Sequence, residues 1–255
     1  MKCKWCRSEV KQTDSPEIRP NWGRWVCNGC GAMGFYAEPT PDQLCEIYEE
    51  AWGDPEGEGS FAAGSTSEGI ANSIIKMGIS DDFQKKCIDY GSGKGVLAKR
   101  LAILGCKEVH AIEPFGPKQE LEGVNWHRDW SDLPEGSRFD VIFMVEVIEH
   151  LKDPIEQFKK AKEKLSDGGG ILITTPNANG WRSVLKKGKW KEAQNPTHIN
   201  LFSYNALSRC LREAGFGEIQ RITKTMTYNK TGLSGLALRM TQILKIDGGL
   251  RVWAK

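Results

Sequence analysis

Residues 87–98, which read Cys-Ile-Asp-Tyr-Gly-Ser-Gly-Lys-Gly-Val-Leu-Ala, decide the fold. A short apolar run meets a glycine-rich turn, and apolar residues then recur with helical spacing as far as Leu104, so the segment predicts strand, tight loop and helix. The three glycines permit backbone angles closed to other residues and let a ligand approach the main chain. Because the helix behind the loop offers free N–H groups, we expect a ligand at this turn.

The next two strands strengthen this interpretation. An apolar run at 109–112 ends in Glu113, which is where nucleotide-binding folds place an acid for the two hydroxyls of a ribose. A third apolar run at 139–145 is followed by Glu-Val-Ile-Glu-His-Leu at 146–151. The loop itself reads G-S-G-K-G, which excludes the G-x-G-x-x-G dinucleotide fingerprint, and no Gly-Lys-Ser/Thr follows, which excludes a P-loop.

These motifs resemble those of the class I S-adenosylmethionine (SAM) methyltransferases. The resemblance rests on D-Y-G-S-G-K-G at 89–95, Glu113, F-D-V-I at 139–142 and G-G-G-I-L at 168–172, and it covers about residues 61–255. It implies an α/β fold with a Rossmann-like sheet, helices on both faces and SAM as cofactor. Its implied cofactor-binding residues are Asp89, Gly91, Ser92, Gly93, Gly95, Glu113, Asp129, Trp130, Val145 and Glu146. Asp129 matches the position that accepts from the adenine amino group; a helix cap or a surface charge is the alternative.

Periodicity and turn residues predict the remaining elements. We predict strands at 86–90, 108–113, 123–127, 139–145, 170–175, 216–224 and 248–254, and helices at 94–104, 153–165 and 204–214. Two further helices are predicted before the first of these strands, one capped by Thr40 and running to about residue 51, and one from about residue 65 to 77. Alternation of strands and helices indicates a parallel sheet, and the resemblance implies that its last strand is antiparallel.

Two C-x-x-C pairs near the start of the chain indicate a four-cysteine zinc ribbon made by Cys3, Cys6, Cys27 and Cys30. Four thiolates leave no open position on zinc, so the metal is expected to be structural. The segment has few aliphatic residues and needs the metal to fold. We therefore divide the chain into a zinc ribbon (1–37), a linker helix and loop (38–64) and a SAM-dependent methyltransferase domain (65–255). The ribbon is either a folding cap or a module that contacts substrate or partner.

Composition excludes several classes of protein. The 255 residues carry a formal net charge of only +2, so no nucleic-acid or membrane partner is expected from charge. No apolar run reaches the roughly 18 residues of a membrane span, and the first residues resemble no signal peptide. Four of the eight cysteines lie outside the C-x-x-C pairs in predicted helices or strands, which suits a reducing compartment and predicts a cytoplasmic protein. The oligomeric state is left open.

The motif Glu146-x-x-Glu149-His150 is a candidate metal site. On a helical turn, positions i, i+3 and i+4 share one face, and His198 on a neighbouring loop could complete the site. The set resembles that of ubiquinone-pathway O-methyltransferases and small-RNA terminal 2′-O-methyltransferases. In both families a divalent ion lowers the pKa of a substrate hydroxyl, and for this chain we expect Mg or Mn. The metal-free alternative makes His150 a general base and turns Glu146 toward the cofactor or the core.

Two long connections are candidates for substrate contact. The segment 176–202 carries Trp181, Trp190 and four lysines at 186, 187, 189 and 191, which could accept an anionic acceptor or form a solvated loop. The segment 226–246 has an amphipathic part that could cover substrate or join subunits. Tyr48 and Phe61 are further candidates for ligand contact, with packing between modules as the alternative.

The sequence thus predicts an enzyme that methylates a small hydroxylated molecule, with catalytic roles for Glu146, Glu149, His150 and His198. The order of ribbon, Pro-x-Pro segment and helix also resembles zinc-ribbon sugar methyltransferases, so C- or N-methylation of a sugar or nucleotide is an alternative. RNA 2′-O-methylation is a weaker one. A SAM-binding interaction protein without catalysis is the alternative from a different class.

Overall fold

The computed structural model describes residues 1–13, 22–37, 39–40, 42–47, 68–79, 83–223 and 240–255. Tyr48 and Phe61, the loop 52–64 and most of the amphipathic segment 226–246 lie outside these residues. Within the described residues, none of the helices combines the length and the apolar content needed to cross a bilayer.

A seven-stranded sheet forms the centre of the protein. Its strands are β4 (Lys86–Tyr90), β5 (Glu108–Ile112), β6 (Asn125–His127), β7 (Phe139–Val145), β8 (Leu165–Pro176), β10 (Ile219–Arg221) and β11 (Gly249–Ala254), in the order β10-β11-β8-β7-β4-β5-β6. The five strands from β8 to β6 are parallel, whereas β11 runs antiparallel to β8 and β10 antiparallel to β11. The predicted Rossmann-like sheet with an antiparallel strand near its end is confirmed.

Helices cover both faces of this sheet. They are α2 (Glu68–Gly78) and α3 (Val96–Ile103) on one face, and α4 (Pro154–Lys164) and α7 (Tyr204–Glu213) on the other. Alternate residues of the strands supply the two cores: Phe143 and Leu172 pack with α2 and α3, whereas Ile142 and Ile173 pack with α4 and α7.

Local signals explain where the helices begin. The side chain of Asp153 accepts from Glu156 N ahead of Pro154, and the side chain of Ser203 accepts from Ala206 N. The short helix α1, described over 42–47, follows the predicted cap, because Thr40 Oγ1 accepts from Gln43 N over 3.3 Å.

A second, four-stranded antiparallel sheet joins the ribbon to the connection that follows β8. The ribbon contributes β1 (Val10–Gln12), β2 (Arg24–Cys27) and β3 (Met33–Phe35), and the fourth strand is β9 (Asn200–Leu201), which pairs with β3. Between β8 and β9 lie two short helices, α5 (Trp181–Lys186) and α6 (Lys191–Gln194). The long connection predicted to contact substrate therefore also completes the sheet of the ribbon, which periodicity did not indicate.

The ribbon packs directly on the larger sheet. Trp25, Cys3 and Cys30 belong to the same buried cluster as the residues of α4 and α7, and the rings of Trp5 and Phe202 lie 5.4 Å apart. The division of the chain at residue 37 stays a prediction, but the described residues on either side of it share one core.

Candidate functional site

The glycine loop lies between β4 and α3, as the sequence predicts. Gly91, Gly93 and Gly95 have φ angles of 70°, 55° and 73°, the left-handed region that favours glycine. Gly91 N and Ser92 N donate to Ile112 O over 2.8 and 3.2 Å, which ties the loop to β5. A Cβ on Gly93 would meet no described atom within 4 Å, so the loop faces open space at its centre.

Glu113 lies at the carboxyl end of β5 and contacts this loop. Its Oε2 accepts from Gly93 N over 2.9 Å, and its Oε1 accepts from Phe115 N over 3.0 Å. The side chain is almost buried, at 6% exposure. The carboxylate is thus held at the edge of the loop, where two hydroxyl donors of a ribose would meet it.

Asp89 lies in β4, just before the glycine loop, and its side chain binds the start of α3. Its Oδ2 accepts from Ala98 N in the first turn of α3 over 3.1 Å. Burial raises the pKa of Asp89 to about 7, an effect that this hydrogen bond opposes and the negative charge of Glu113 reinforces. Ser92 Oγ, by contrast, is buried and has no hydrogen-bond partner among the described residues. An orphan hydroxyl beside open space fits a loop built around a polar ligand.

Asp129 and Trp130, the residues predicted to bind the adenine side of the cofactor, both make hydrogen bonds within the protein. Asp129 caps the 3-10 turn Trp130–Asp132, because its Oδ1 accepts from Ser131 N over 3.1 Å. Trp130 is buried at 4% exposure, stacks on Tyr90 with centroids 4.8 Å apart and donates from Nε1 to Gln157. Asp129 therefore has the geometry of the alternative, a helix cap, and its contact with adenine stays a prediction, as does that of Trp130.

The segment after β7 departs from the predicted helical turn. Glu146 has a φ of 54°, and the 3-10 turn begins only at Ile148 and ends at His150. Glu146 Oε1 accepts from Thr174 Oγ1, and Glu149 Oε2 accepts from Thr175 Oγ1, each over 2.9 Å. The two threonines are consecutive residues of β8, whose side chains point to opposite faces, and Glu146 lies outside the 3-10 turn that carries Glu149. The prediction that they share one helical face is wrong.

The side chain of Glu146 is exposed to solvent, although many protein atoms surround its carboxylate. This combination is typical of a residue that lines a cleft. This crowding raises the pKa of Glu146, while the Thr174 hydrogen bond and the positive charge of Arg251 act in the opposite direction. Val145, the residue before it, is partly buried and packs against the cluster that includes α2 and α3. Val145 thus lies on the face that carries α3. The contact of Val145 and Glu146 with SAM stays a prediction.

Three of the four predicted catalytic residues come together. Ligand atoms of Glu149, His150 and His198 all lie within 4.8 Å of one another, and Glu146 is not part of this group. His150 Nε2 lies 4.0 Å from Glu149 Oε1, and the rings of His150 and His198 meet edge to face with centroids 4.8 Å apart. Val147, two residues before Glu149, packs against the glycine loop, because a Cβ on Gly91 would lie 2.5 Å from Val147 Cγ2.

Backbone carbonyls orient the two imidazoles. His150 Nδ1 lies 3.0 Å from Thr197 O and His198 Nδ1 lies 3.2 Å from Glu192 O, so each Nδ1 carries the proton and donates it. This arrangement fixes Nε2 as the basic nitrogen of each ring, the pattern typical of metal-binding or general-base histidines. Asn195 Nδ2 lies 3.2 Å from His198 Nε2 and donates to it.

Burial controls the charge of this group. It raises the pKa of Glu149 well above its usual range, with a further contribution from the charge of Glu146. It lowers the pKa of His150 to about 4 and that of His198 well below its usual value. Glu149 Oε1 is fully buried and has no hydrogen-bond partner among the described residues. An orphan carboxylate oxygen beside two basic nitrogens fits a divalent cation or a transferred proton.

The four cysteines of the ribbon have the geometry of a zinc site. Cys3 Sγ lies 3.7 Å from Cys30 Sγ, and Cys6 Sγ lies 3.3 Å from Cys27 Sγ. A tetrahedral zinc with bonds near 2.3 Å places its sulfurs about 3.8 Å apart. Gly29 N and Cys30 N both point at Cys27 Sγ, which supports a thiolate at that position. All four ligands were predicted from the spacing of the pairs.

Several residues that orient this site carry no sequence motif. The hydroxyl of Thr175 and the carbonyl of Thr197 hold the carboxylate and the imidazole, and Arg24 binds the loop that carries His198. No motif marks a backbone carbonyl, and Arg24 lies between tryptophans in the ribbon, far from His198 in the sequence. Only the three-dimensional structure brings them to the site.

Comparison with known proteins gives consistent matches. The profile of a family described as "Methyltransferase domain" matches residues 36–220. A tRNA U34 carboxymethyltransferase of Pseudomonas putida is 28% identical over 172 residues, which cover 58% of this chain and 54% of that protein. A ubiquinone biosynthesis O-methyltransferase of Cereibacter sphaeroides is 25% identical over 165 residues, 58% of this chain and 66% of that protein. The chain thus spans about half to two thirds of the length of these relatives.

Solved structures agree on the fold. A chain of the complex between the Haloferax volcanii Trm112 methyltransferase activator and a methyltransferase matches with a TM-score of 0.56 at 13% identity, over 85% of this chain and 98% of that one. A SAM-dependent methyltransferase of Thermotoga maritima matches with a TM-score of 0.51 at 17% identity, over 82% and 98%. At such identities these likenesses concern the fold alone.

Proposed function

Because the chain belongs to the class I SAM-dependent methyltransferase family, we propose that it transfers a methyl group from SAM to an oxygen of a small hydroxylated molecule. The observation that carries this proposal is the group of Glu149, His150 and His198, on a segment that contacts the glycine loop through Val147. The similarity to a ubiquinone biosynthesis O-methyltransferase supports the choice of oxygen and of a small acceptor.

The cofactor half of the proposal uses Gly91–Gly95 and Glu113. SAM supplies an electrophilic methyl group on a sulfonium, and Glu113 binds the ribose hydroxyls at the edge of the loop. We expect Glu113→Ala to weaken SAM binding tenfold or more, roughly 1.4 kcal/mol, in a calorimetric titration. Unchanged affinity would remove the ribose assignment without affecting the acceptor half.

On the acceptor side, His150 Nε2 accepts the proton of the acceptor hydroxyl. Its Nδ1–H stays on Thr197 O, which holds the ring in the required tautomer. The low pKa of His150 keeps the ring neutral, and therefore able to accept a proton, at neutral pH. Glu149 Oε1 lies 4.0 Å from this nitrogen, so its buried carboxyl group can take part in the proton transfer.

The same side chains could hold a cation. Glu149, His150 and His198 offer three ligands and leave positions open, and a divalent ion such as Mg or Mn held there would lower the pKa of the acceptor hydroxyl. For His198 to bind through Nε2, the amide of Asn195 must turn away from it. Glu149 and His150 are therefore the centre of the proposed cation site.

The test is a screen of methyl transfer from labelled SAM to cell-extract metabolites, with and without chelator. We expect His150→Ala to lower kcat about a hundredfold or more, while Glu163→Gln, an exposed carboxylate on α4, leaves it unchanged. If turnover depends on a cation, added Mg or Mn should restore it in chelator-treated protein. If His150 acts alone as a base, chelator should have no effect. Full turnover in His150→Ala would contradict both versions.

A nucleic-acid acceptor is the second candidate. The similarity to a tRNA U34 carboxymethyltransferase supports it, as do four exposed lysines at 186, 187, 189 and 191 near the half-exposed ring of Trp181. Binding to tRNA that weakens steeply with salt would favour this candidate over a small molecule. Methylation of a sugar or nucleotide at carbon or nitrogen would give a product in the same screen whose new methyl group is bonded to carbon or nitrogen. SAM binding with no methylated product would support the alternative of an interaction protein.

A further inference from the structure

Arg24 of the ribbon is fully buried, at 0% exposure, and its guanidinium binds three backbone carbonyls of a distant loop. Its Nε donates to Ala193 O over 2.7 Å, Nη1 to His198 O over 2.7 Å and Nη2 to Asn195 O over 3.0 Å. The guanidinium lies 3.6 Å from the centroid of the Phe35 ring. Within the part of the chain that the structure describes, no carboxylate forms an ion pair with it.

The same loop orients both histidines of the candidate site. Of the carbonyls between residues 192 and 198, those of 193, 195 and 198 bind Arg24, whereas Thr197 O accepts from His150 and Glu192 O accepts from His198. Removing the guanidinium would leave the buried carbonyls of Ala193 and His198 without this donor, and Asn195 O would keep only the amide of His198. Buried carbonyls without a donor destabilise the loop. The loop would then rearrange, and the two carbonyls that hold the imidazoles would move with it.

The ribbon in turn fixes Arg24. It lies on β2, the central strand of the three that the ribbon contributes, three residues before the proposed zinc ligand Cys27. The strand β9, which immediately follows the loop, pairs with β3 of the ribbon. Strand pairing and the guanidinium therefore hold the loop at two neighbouring points, and both depend on the ribbon being folded.

We propose that Arg24 is a positioning residue of the acceptor side of the site, which fixes the loop 192–198 and through it the tautomer and orientation of His150 and His198. The ribbon is then a structural part of the methyl-transfer site. This inference rests on the proposed function, since the two histidines matter to the reaction only if that function is right.

The experiment measures the side-chain nitrogen shifts of the four histidines by NMR in the protein saturated with SAM. In the unaltered protein we expect His150 and His198 to show the Nδ1–H tautomer. In Arg24→Ala we expect both to show mixed tautomers, with SAM affinity within about twofold of the unaltered protein. His110 and His127, which stack on β5 and β6 near the opposite edge of the sheet, are internal controls and should not change.

Two further measurements sharpen the result. Thr13→Val removes a buried hydrogen bond of 3.3 Å to Arg24 O inside the ribbon but leaves the guanidinium contacts, and it should leave the tautomers unchanged. Added guanidinium, and not methylammonium, should restore the Nδ1–H tautomer in Arg24→Ala, because only the planar fork can serve three carbonyls. Arg24→Lys is measured in the same way if the alanine variant fails to bind SAM.

Unchanged tautomers in an Arg24 variant that binds SAM would overturn the proposal, as would the same change in Thr13→Val. Because the NMR measurement needs neither an acceptor nor a cation, it is independent of the proposed reaction. Failure to find any methylated product would contradict the proposed function and leave the role of Arg24 in orienting the histidines intact.

Discussion

Glu149 lies at the carboxyl edge of the sheet with one oxygen on the hydroxyl of Thr175 and the other without a hydrogen-bond partner among the described residues. Such an oxygen costs folding free energy, because a buried polar group loses its water without gaining a partner. Residues that weaken the fold in this way occur where function requires them. Asp89 is a second buried carboxyl, but it supports the glycine loop through a hydrogen bond to Ala98 N.

We expect Glu149→Gln to keep the free energy of unfolding the same or to raise it by about 1 kcal/mol, because the amide is never charged in its buried position. The same change should lower methyl transfer at least a hundredfold, since it removes the carboxyl oxygen beside His150 Nε2 that can exchange a proton with the ring. Thermal unfolding and the labelled-SAM assay measure the two effects. A variant that loses stability but keeps turnover would show that the carboxylate has only a structural role.

Asp89 predicts a pH dependence of stability. Its pKa is raised to about 7 in the folded protein, so between about pH 4 and 7 the folded state binds a proton that the unfolded state has released. The contribution is complete below about pH 4 and is lost as the pH rises through 7, by no more than about 4 kcal/mol. Asp89→Asn should flatten this decline in urea unfolding measured across that range. An unchanged slope would mean that Asp89 is ionised in the folded protein.

At the scale of elements, the segment between β7 and α4 links the cofactor loop to the acceptor side. Val147 packs against Gly91, Ile148 is buried in the core, and Glu149 and His150 follow directly. Any change that moves the glycine loop is therefore transmitted within three residues to the histidine that would accept the proton. The loop and this segment behave as one unit because their contact leaves no space for a further atom.

Gly91→Ala should destabilise the protein more than Gly93→Ala. Both positions have a left-handed φ, which costs an alanine about 1–2 kcal/mol, but only the new Cβ of residue 91 would clash, at 2.5 Å from Val147. Val147→Ala combined with Gly91→Ala should remove most of the difference, as measured by a double-mutant cycle in urea. Equal losses for the two single variants would contradict the predicted contact.

Elements whose partners are near in sequence were predicted well. Strands β4, β5 and β7 and helices α3, α4 and α7 begin and end within about two residues of the predicted positions, because apolar spacing and capping residues act locally. The two-residue strand β9 was missed, since its only reason to be a strand is its pairing with β3. The predicted helical geometry of the motif 146–150 was wrong, because Glu146 takes a φ of 54° that its sequence does not reveal.

At the scale of the whole molecule, the ribbon and the large sheet share a core and a strand. Cys3 and Trp25 lie in the same cluster as residues of α4 and α7. The buried guanidinium of Arg24 binds the connection between β8 and β9. Such continuity predicts cooperative unfolding, because neither part can lose its packing without exposing the other. A ribbon that folds separately would need an interface with fewer buried groups.

Cys3→Ser should therefore lower the melting temperature of the entire protein in a single transition. Loss of a proposed zinc ligand removes several kcal/mol, and for a domain of this size each kcal/mol corresponds to about 2–4 °C. Cys45→Ser, at an exposed cysteine outside the cluster, is the matched control and should have no effect. Two separate calorimetric transitions, with only the smaller one shifted, would instead establish an independent ribbon.

The pairing of β9 with β3 also has a consequence for synthesis of the chain. Met33 is translated long before its partner Leu201, and at ribosomal speed the delay is roughly ten seconds or more. During that time β3 presents an unpaired edge, which is a template for aggregation, and the guanidinium of Arg24 has none of the three carbonyls that it binds in the finished protein. Nascent chains that stop before residue 200 are therefore the species most in need of a chaperone.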